Sequence, residues 1–465
     1  MQWSMEVDVL VIGGGGAGLA AAIAAAEAGV TVAIAEKWDR LGGNTALSTG
    51  SVPGAGTRFQ RAAGIADSPS CFAKDILRRT NNTAPEHLVH ALARESGPLV
   101  EWLVDSVDAP LRFEPVLKKI GHSVPRTHVA EGRSGEALFS SLERRARALG
   151  VEISVGTPAL GLVAEEGRIV GARISSGSGD AADNIRAKKI VLATNGFGGN
   201  RDMLREFCPE IADAPYFGHQ GNTGEGILWG RELGARLHNM GSYQGHASVS
   251  VSHGALVSWS VMELGGILVN GAGERFADEL VGYSGCAAEV LKQSDAAAAV
   301  IFDARIHRYM RENVPEYARL DDLKGVKHAE APDELLRRLG FDGKTRLAET
   351  LADYARMSTA GKDRFGRAEF GPKPLHPPFY GVRVTAGLFH TQGGLYVNEH
   401  AQPVDEFGRP IHNLYAVGGT AVGLAGRDGG RGYCSASGLL AALGLGRIAG
   451  RHAGQACGGS IDHIV

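Results

Sequence analysis

Short apolar runs on either side of an alanine-rich stretch set the hydrophobic pattern at the start of the chain. Residues 7–12 (VDVLVI) are mostly β-branched or aliphatic and stop at a run of glycines, which predicts a buried strand. Residues 17–28 are rich in alanine and close at Gly29, which predicts a helix. Residues 30–35 (VTVAIA) again predict a buried strand. Because a helix joins the two strands, we expect a βαβ unit with a parallel pair.

The pattern changes in the middle of the chain and then returns. Residues 242–380 are less regular and more charged, which indicates an inserted domain. The chain is therefore predicted to fold as an α/β protein whose main domain combines residues 1–241 and 381–465. Further predicted elements are a helix at 136–149, two or three short strands within 151–174, a strand at 188–193 and a helix at 436–452.

Composition narrows the classes of function. The 465 residues carry 48 Lys+Arg and 51 Asp+Glu, and this net charge of −3 gives no reason to expect nucleic acid as a partner. The five cysteines form no CxxC motif, which argues against a disulfide framework or an iron–sulfur cluster, and no metal site is predicted. We expect no membrane span and, because the first residues do not resemble a signal peptide, a cytoplasmic location.

A glycine-rich motif lies at the junction of the first predicted strand and helix. Gly13 permits a tight turn, Gly15 lets the backbone approach a pyrophosphate, and Gly18 allows the helix to pack closely on the strand. The pyrophosphate would lie at the positive N-terminus of the helix. Glu36 ends the next strand, where its carboxylate would accept hydrogen bonds from an adenosine ribose. This order predicts a dinucleotide site, although the motif alone does not choose between NAD and FAD.

Several further segments resemble the FAD-contacting segments of the fumarate reductase and succinate dehydrogenase flavoprotein family. They are 41–45 (LGGNT), 48–50 (STG), 193–200 (ATNGFGGN), 220–226 (QGNTGEG) and 414–419 (LYAVGG). The resemblance runs from residue 7 to about residue 450. It implies a Rossmann-like FAD-binding domain, formed by residues 1–241 and 381–465, with an inserted α+β capping domain at 242–380.

The same resemblance implies how FAD is held. Family members with covalent FAD carry a histidine in the segment that corresponds to residues 42–50, and this chain has none there, which implies noncovalent FAD. The implied FAD-binding residues are Gly13, Gly15, Gly16, Ala17, Gly18, Glu36, Lys37, Gly42, Gly43, Asn44, Thr45, Ser48, Thr49, Gly50, Thr194, Asn195, Gly196, Asn222, Thr223, Gly224, Gly418, Gly419, Ser435 and Ala436.

Two histidines lie in segments similar to substrate-binding segments of the family. His246, in GHAS, matches the family's AHPT, and His390, in FHTQGG, matches HHTMGG. The resemblance implies that both hold substrate. A histidine, with an ordinary pKa of about 6.5, can supply a directed donor or a positive charge near neutral pH.

The residues expected to transfer a proton depart from the family pattern. Tyr283 stands where fumarate reductases carry an arginine acid, and related 3-ketosteroid dehydrogenases use tyrosines for this step. Near the C-terminus, GRDGGRGY replaces the family's GANRLGGNA and supplies Arg427, Arg431 and Tyr433. A tyrosine whose pKa of about 10 is lowered by a cation can take a proton from a carbon beside a carbonyl, and an arginine can pair with a carboxylate. The alternatives are a structural ion pair for each arginine and core packing for each tyrosine.

Together these residues predict an FAD-dependent oxidoreductase that dehydrogenates a CH–CH bond adjacent to a carbonyl or carboxylate. Tyr283 or Tyr433 would remove the α-proton while the β-hydride goes to flavin N5, and the histidines and arginines would hold the substrate oxygens. The expected partner is a small keto or carboxylic acid.

The sequence leaves two alternative functions open, and it also leaves the electron donor or acceptor open. The alternatives are a soluble enoate reductase of fumarate-reductase type, in which Tyr283 donates the proton, and a non-catalytic electron-transfer flavoprotein. No second glycine-rich unit for NAD(P)H is apparent. Electrons are therefore expected to pass to or from a quinone, oxygen or a partner protein, and the sequence does not identify which.

Overall fold

The fold of the chain is described by a computed structural model over residues 2–116, 118–175, 182–361, 363–371 and 374–458. Within these residues the strands are β1 (Met5–Ile12), β2 (Val32–Ala35), β3 (Ser51–Pro53), β4 (Leu111–Phe113), β5 (Thr127–Ala130), β6 (Glu152–Ser154), β7 (Ala159–Glu165), β8 (Arg168–Ser175), β9 (Ala182–Leu192), β10 (Leu237–His238), β11 (Tyr243–Ser250), β12 (Ile267–Val269), β13 (Ala297–Asp303), β14 (Lys327–Ala329), β15 (Phe379–Thr391), β16 (Gly394–Leu395) and β17 (Leu414–Ala416). The helices are α1 (Gly16–Ala26), α2 (Gly43–Leu47), α3 (Arg58–Ala62), α4 (Pro69–Arg79), α5 (Glu86–Asp105), α6 (Gly135–Ala148), α7 (Arg201–Phe207), α8 (Glu225–Glu232), α9 (Ser260–Glu263), α10 (Gly282–Gly285), α11 (Ala287–Leu291), α12 (Ala304–Asn313), α13 (Pro315–Asp322), α14 (Pro332–Arg338), α15 (Leu347–Ala360) and α16 (Ser437–Ala456).

The first sheet has a parallel centre. Its strands run in the order β6-β2-β1-β9-β8-β7, and β17 also pairs with β9. β1 lies parallel to β2 and to β9, with Val9 opposite Val32 and Leu10 opposite Ile190. Helix α16, from the end of the described chain, packs along α1. The two ends of the chain therefore meet at the turn that carries the glycine-rich motif.

The elements predicted from the hydrophobic pattern are confirmed in type and place. The six strands and helices predicted individually correspond, in chain order, to β1, α1, β2, α6, β9 and α16, and the short strands predicted within 151–174 are β6, β7 and β8. These segments were predictable because a strand buried in a parallel sheet is almost continuously apolar, while the helices carry caps or alanine-rich runs.

The second sheet is antiparallel and builds a separate core. Its strands run in the order β11-β15-β13-β12, and β14 pairs with β15. β13 is buried along its whole length. The core around this sheet also includes Phe197, Leu204 and Ile227, and β15 continues to Thr391. This core therefore includes residues from outside the segment 242–380, because a core follows packing and not chain order.

Over the described ranges, none of the helices has both the length and the apolar character that crossing a bilayer requires.

Candidate active site

A cavity of about 710 Å³ opens between the turn after β1, the end of β9, strands β11 and β15, and the segment before α16. Many of the predicted FAD-binding residues line it: Gly13, Gly15, Gly16, Ala17, Glu36, Lys37, Gly43, Asn44, Thr45, Ser48, Thr49, Thr194, Asn195, Asn222, Gly418, Gly419, Ser435 and Ala436. The others are direct sequence neighbours of lining residues: Gly18, Gly42, Gly50, Gly196, Thr223 and Gly224.

Helix α1 opens into this cavity. Its N-cap residue Gly15 and its first residue Gly16 line the cavity, and no side chain caps the helix. Its first-turn amides therefore present the positive end of the helix dipole, which suits a pyrophosphate. The Glu36 carboxylate accepts hydrogen bonds from the amides of Gly14 (2.7 Å) and Trp38 (2.9 Å), which fixes it beside the glycine-rich turn.

Asn44 links three of the predicted segments. Its side-chain oxygen accepts hydrogen bonds from the amide of His219 (2.7 Å) and from the side chain of Asn222 (3.0 Å). Its side-chain nitrogen donates to the carbonyl oxygen of Phe389 (3.2 Å), next to His390 in β15. The predicted flavin segment is thereby fixed beside a strand that carries a predicted substrate residue.

Four aromatic side chains form one wall of the cavity. His246 stacks on Tyr283 with ring centroids 4.6 Å apart, Tyr283 meets Tyr433 edge to face at 6.0 Å, and Tyr433 meets His390 in the same way at 5.8 Å. All four line the cavity. The structure thus brings together, as a four-ring wall, residues from four distant parts of the chain.

Burial keeps the four-ring wall uncharged near neutral pH. It lowers the pKa of His246 to about 3 and that of His390 to about 4. It raises the pKa of Tyr283 well above its usual value, which a side-chain interaction with Ser435 opposes only in part, and it raises the pKa of Tyr433 to about 12. The lowered tyrosine pKa expected from the sequence is therefore not found, because burial outweighs any neighbouring cation.

The structure does not bring Arg427 and Arg431 into the cavity. Both side chains are exposed, and Arg431 pairs with Glu289 at 3.3 Å. This corrects the prediction that they hold substrate, since an arginine at the surface cannot reach an oxygen atom inside the cavity. The glycine-rich loop from 426 to 432 turns so that Tyr433 faces inward while the arginines face water.

Arg79, at the end of α4, is a residue that the sequence did not single out. Its Nε donates to the carbonyl oxygen of Tyr433 at 3.4 Å, and its Nη2 donates to the carbonyl oxygen of Val281, two residues before Tyr283. It therefore holds together the two segments that carry the tyrosines. Both acceptors are backbone groups far away in the chain, so no local pattern could have revealed them.

A family described as an FAD binding domain matches residues 8–434. The chain belongs to this family.

Several proteins similar to this chain are named as reductases or dehydrogenases. This FAD-binding chain is 31% identical over 455 residues to a probable fumarate reductase of Shewanella frigidimarina (strain NCIMB 400), a match that covers 97% of this chain and 75% of that protein. The open conformation of a flavocytochrome c3 fumarate reductase shares 30% identity at a TM-score of 0.79, over 98% of this chain and 79% of that one. A 3-ketosteroid-Δ4-(5α)-dehydrogenase from Rhodococcus jostii RHA1, in complex with 4-androstene-3,17-dione, shares 27% identity at a TM-score of 0.78, over 98% of each chain.

These findings confirm the predicted family, the α/β fold class and FAD as the cofactor. The chain is an FAD-dependent oxidoreductase of the fumarate reductase and ketosteroid dehydrogenase type, an enzyme that acts on CH–CH groups. The residues fit this cofactor, because a helix N-terminus without a side-chain cap and a glycine with open space in front of it face the cavity.

Gly15 and Gly18 offer a matched test of the FAD cradle. A Cβ on Gly15 would have no neighbour closer than the carbonyl oxygen of Gly42 at 3.9 Å, and its φ of −78° suits alanine. A Cβ on Gly18 would collide with the carbonyl oxygen of Gly13. We expect Gly15→Ala to keep the fold but to weaken FAD binding by about 100-fold, because the new methyl group occupies the space of the pyrophosphate.

Gly18→Ala, in contrast, should lower the thermal unfolding temperature, because its methyl group forces α1 away from β1. The measurements are FAD retention on serial dilution and thermal unfolding, made on both variants. If Gly15→Ala binds FAD as tightly as the unaltered protein, the pyrophosphate does not lie at this turn.

Proposed function

We propose that the enzyme interconverts a saturated ketone and its α,β-unsaturated counterpart, and that dehydrogenation is the favoured direction. The uncharged four-ring wall is the observation that supports a ketone as substrate, and the likeness to the Rhodococcus 3-ketosteroid-Δ4-(5α)-dehydrogenase supports the direction. When bound, FAD takes up or supplies the hydride. The remaining tasks, which are to hold the carbonyl oxygen and to move the α-proton, fall to side chains of this chain.

The four-ring wall suits a ketone better than a dicarboxylate. A carboxylate that leaves water to face neutral groups loses its solvation without gaining an opposite charge, which is costly. A ketone oxygen needs only hydrogen-bond donors, and neutral imidazole and phenol groups supply them. Fumarate, in the name of the Shewanella relative, carries two carboxylates, whereas the 4-androstene-3,17-dione of the Rhodococcus structure is a ketone. The two arginines expected to balance a carboxylate lie at the surface.

We assign Tyr433 to the carbonyl oxygen. Its hydroxyl oxygen accepts a hydrogen bond from the amide of Gly438 (3.2 Å) in the first turn of α16. That bond occupies a lone pair and leaves the phenol proton available for a substrate oxygen. The positive end of α16 also stabilises negative charge that develops there during proton transfer.

We assign Tyr283 to the α-proton. It lies in the middle of the four-ring wall and contacts both His246 and Tyr433. In dehydrogenation the proton passes from the α-carbon to the Tyr283 oxygen, and the electron pair of that C–H bond becomes the new π bond. In reduction the Tyr283 phenol returns the proton to the α-carbon.

The two histidines stay neutral in this proposal, and His246 serves as a hydrogen-bond donor to the substrate. The amide of Ser248 donates to Nδ1 of His246 at 3.3 Å, so the proton of the neutral ring lies on Nε2 and can be donated to a substrate oxygen. His390 meets Tyr433 at the other end of the four-ring wall. With pKa values of about 3 and about 4, both rings keep this neutral form at physiological pH.

A second candidate function is reduction of a conjugated C=C bond. The observation that favours it is the raised pKa of Tyr283, which keeps the phenol protonated at neutral pH and ready to donate. The same residues serve both directions, so the two candidates differ in the electron partner and not in the site.

The test is the anaerobic flavin spectrum of the purified holoenzyme during addition of saturated cyclic ketones, keto acids and dicarboxylates. Bleaching by a ketone supports dehydrogenation. If saturated ketones leave the oxidised spectrum unchanged but an unsaturated ketone reoxidises the chemically reduced enzyme, reduction is the function. Reaction with dicarboxylates alone would overturn both assignments, and reaction with none of them would favour an electron-transfer flavoprotein.

We also propose that FAD is bound noncovalently. Support comes from the segment 42–50, which contains no histidine to form a bond with the flavin. Denaturation followed by ultrafiltration should leave all of the yellow colour in the filtrate. Colour that stays with the protein would contradict this proposal.

A further inference from the structure

A lysine and a glutamate meet at the cavity, outside the four-ring wall. Lys119 follows β4, and Glu263 ends α9; both line the cavity, as does Ser260 between them. Nζ of Lys119 donates to Oγ of Ser260 at 3.1 Å and lies 3.7 Å from Oε2 of Glu263. The two charged side chains are only 15% and 11% exposed. Burying an ammonium group is costly unless it has partners, so this pair needs an explanation.

The lysine is incompletely partnered by the described residues. An ammonium group has three N–H donors, and the hydrogen bond to Ser260 uses one of them. The 3.7 Å approach to Glu263 exceeds ordinary hydrogen-bond length. Burial raises the pKa of Glu263, and its buried Oε2 has no hydrogen-bond partner in the described part of the chain. Its negative charge is thereby disfavoured, which leaves the charge of Lys119 only partly balanced.

The pair also lies close to the reacting groups. Trp259, the residue before Ser260, has its ring centroid 6.4 Å from that of Tyr283. Glu263 and Tyr283 both line the same cavity. One small molecule could therefore contact the four-ring wall and Lys119 together. Among these groups Lys119 is the cation, and it lines the cavity, whereas Oε2 of Glu263 is buried.

We propose that Lys119 binds a carboxylate of the substrate, separate from the ketone that reacts, so that the substrate class is a keto acid. This inference rests on the proposed function, because it presumes a ketone at Tyr283 and Tyr433. The neutral rings receive the ketone oxygen, and the incompletely balanced ammonium receives the acid. Lys119 is then a specificity residue that touches substrate without taking part in proton transfer.

The experiment compares acids with their methyl esters. The probes are 4-oxocyclohexanecarboxylate, 4-oxocyclohexaneacetate and 4-oxocyclohexanepropionate, each with its methyl ester. This series varies the spacing between the ketone and the acid. Dissociation constants come from the shift of the flavin spectrum in holoenzyme that carries Tyr283→Phe, which binds ligand without turnover. Each constant is measured with Lys119 intact and with Lys119→Met, Lys119→Arg or Lys118→Met. Lys118 is the matched control, because it lies next in sequence but 55% exposed, 3.8 Å from Glu369.

We expect Lys119→Met to weaken binding of the best acid by about 100-fold and that of its ester by less than about threefold. Lys119→Arg should restore most of the affinity for the acid, and Lys118→Met should change neither constant. The inference is overturned if Lys119→Met weakens the binding of acid and ester equally, if it leaves the binding of the acid unchanged, or if no acid binds. FAD content and unfolding temperature of each variant separate these results from misfolding.

The two proposals can fail separately. If ketones reduce the flavin of the unaltered enzyme but Lys119→Met affects acid and ester equally, only the inference about Lys119 is lost. If no ketone reacts in either direction while binding still depends on Lys119 and on the free acid, the proposed reaction is lost and the acid site stands.

Discussion

Replacing Tyr283 with phenylalanine should slow reduction of the flavin by a ketone substrate by about 100- to 10,000-fold, the range in which a positioned acid or base contributes. Phenylalanine keeps the ring that stacks on His246 at 4.6 Å, and it removes only the oxygen that takes the α-proton. FAD should stay bound. The measurement is single-turnover bleaching of the flavin under anaerobic conditions at saturating substrate.

Two further tyrosine variants make this result specific. Tyr433→Phe removes the donor to the carbonyl oxygen and should also slow the reaction, but by less, since His246 can still donate. Tyr354→Phe is the matched control: its hydroxyl donates to the carbonyl oxygen of Gly265 at 3.1 Å, away from the cavity, so it should affect stability and leave the rate unchanged. A larger loss for Tyr433→Phe than for Tyr283→Phe would reverse the assignment of the two tyrosines.

The FAD half of the molecule was predictable because its signals are local. The turn after β1, the opening of α1 and the acidic residue at the end of β2 each need particular residue types at short spacing. The structure places Gly15 and Glu36 at the cavity in the expected arrangement. The side chains of the four-ring wall are also predictable one by one, because His246 and His390 lie in segments with a family likeness, and Tyr283 and Tyr433 stand where the chain departs from the family pattern.

The rest of the site depends on packing and burial, which local patterns do not carry. Arg427 and Arg431 are each directly adjacent to glycine in a turning loop, and only the folded loop decides that they face water. Arg79 and Lys119 gain their partners from segments far away in sequence. The direction of the tyrosine pKa shifts was missed for the same reason, since it follows from desolvation in the folded cavity.

The pH dependence of the two directions should differ, because they need opposite forms of Tyr283. Burial raises the pKa of this phenol well above its usual value, so the phenolate that takes the α-proton is a small fraction at pH 7. Below the pKa that fraction grows tenfold for each pH unit. The rate of flavin reduction by a saturated ketone should therefore rise by about 100-fold between pH 7 and pH 9.

Reduction of an unsaturated ketone by the pre-reduced enzyme needs the phenol, which predominates throughout this range, so its rate should stay nearly constant. His246 and His390, with pKa values of about 3 and about 4, stay neutral between pH 7 and pH 9 and cannot produce the slope. Both rates are measured by stopped flow at constant ionic strength, with Tyr283→Phe as the control that should lose the dependence. A dehydrogenation rate that is flat or falls from pH 7 to pH 9 would assign the α-proton to a group other than a buried tyrosine.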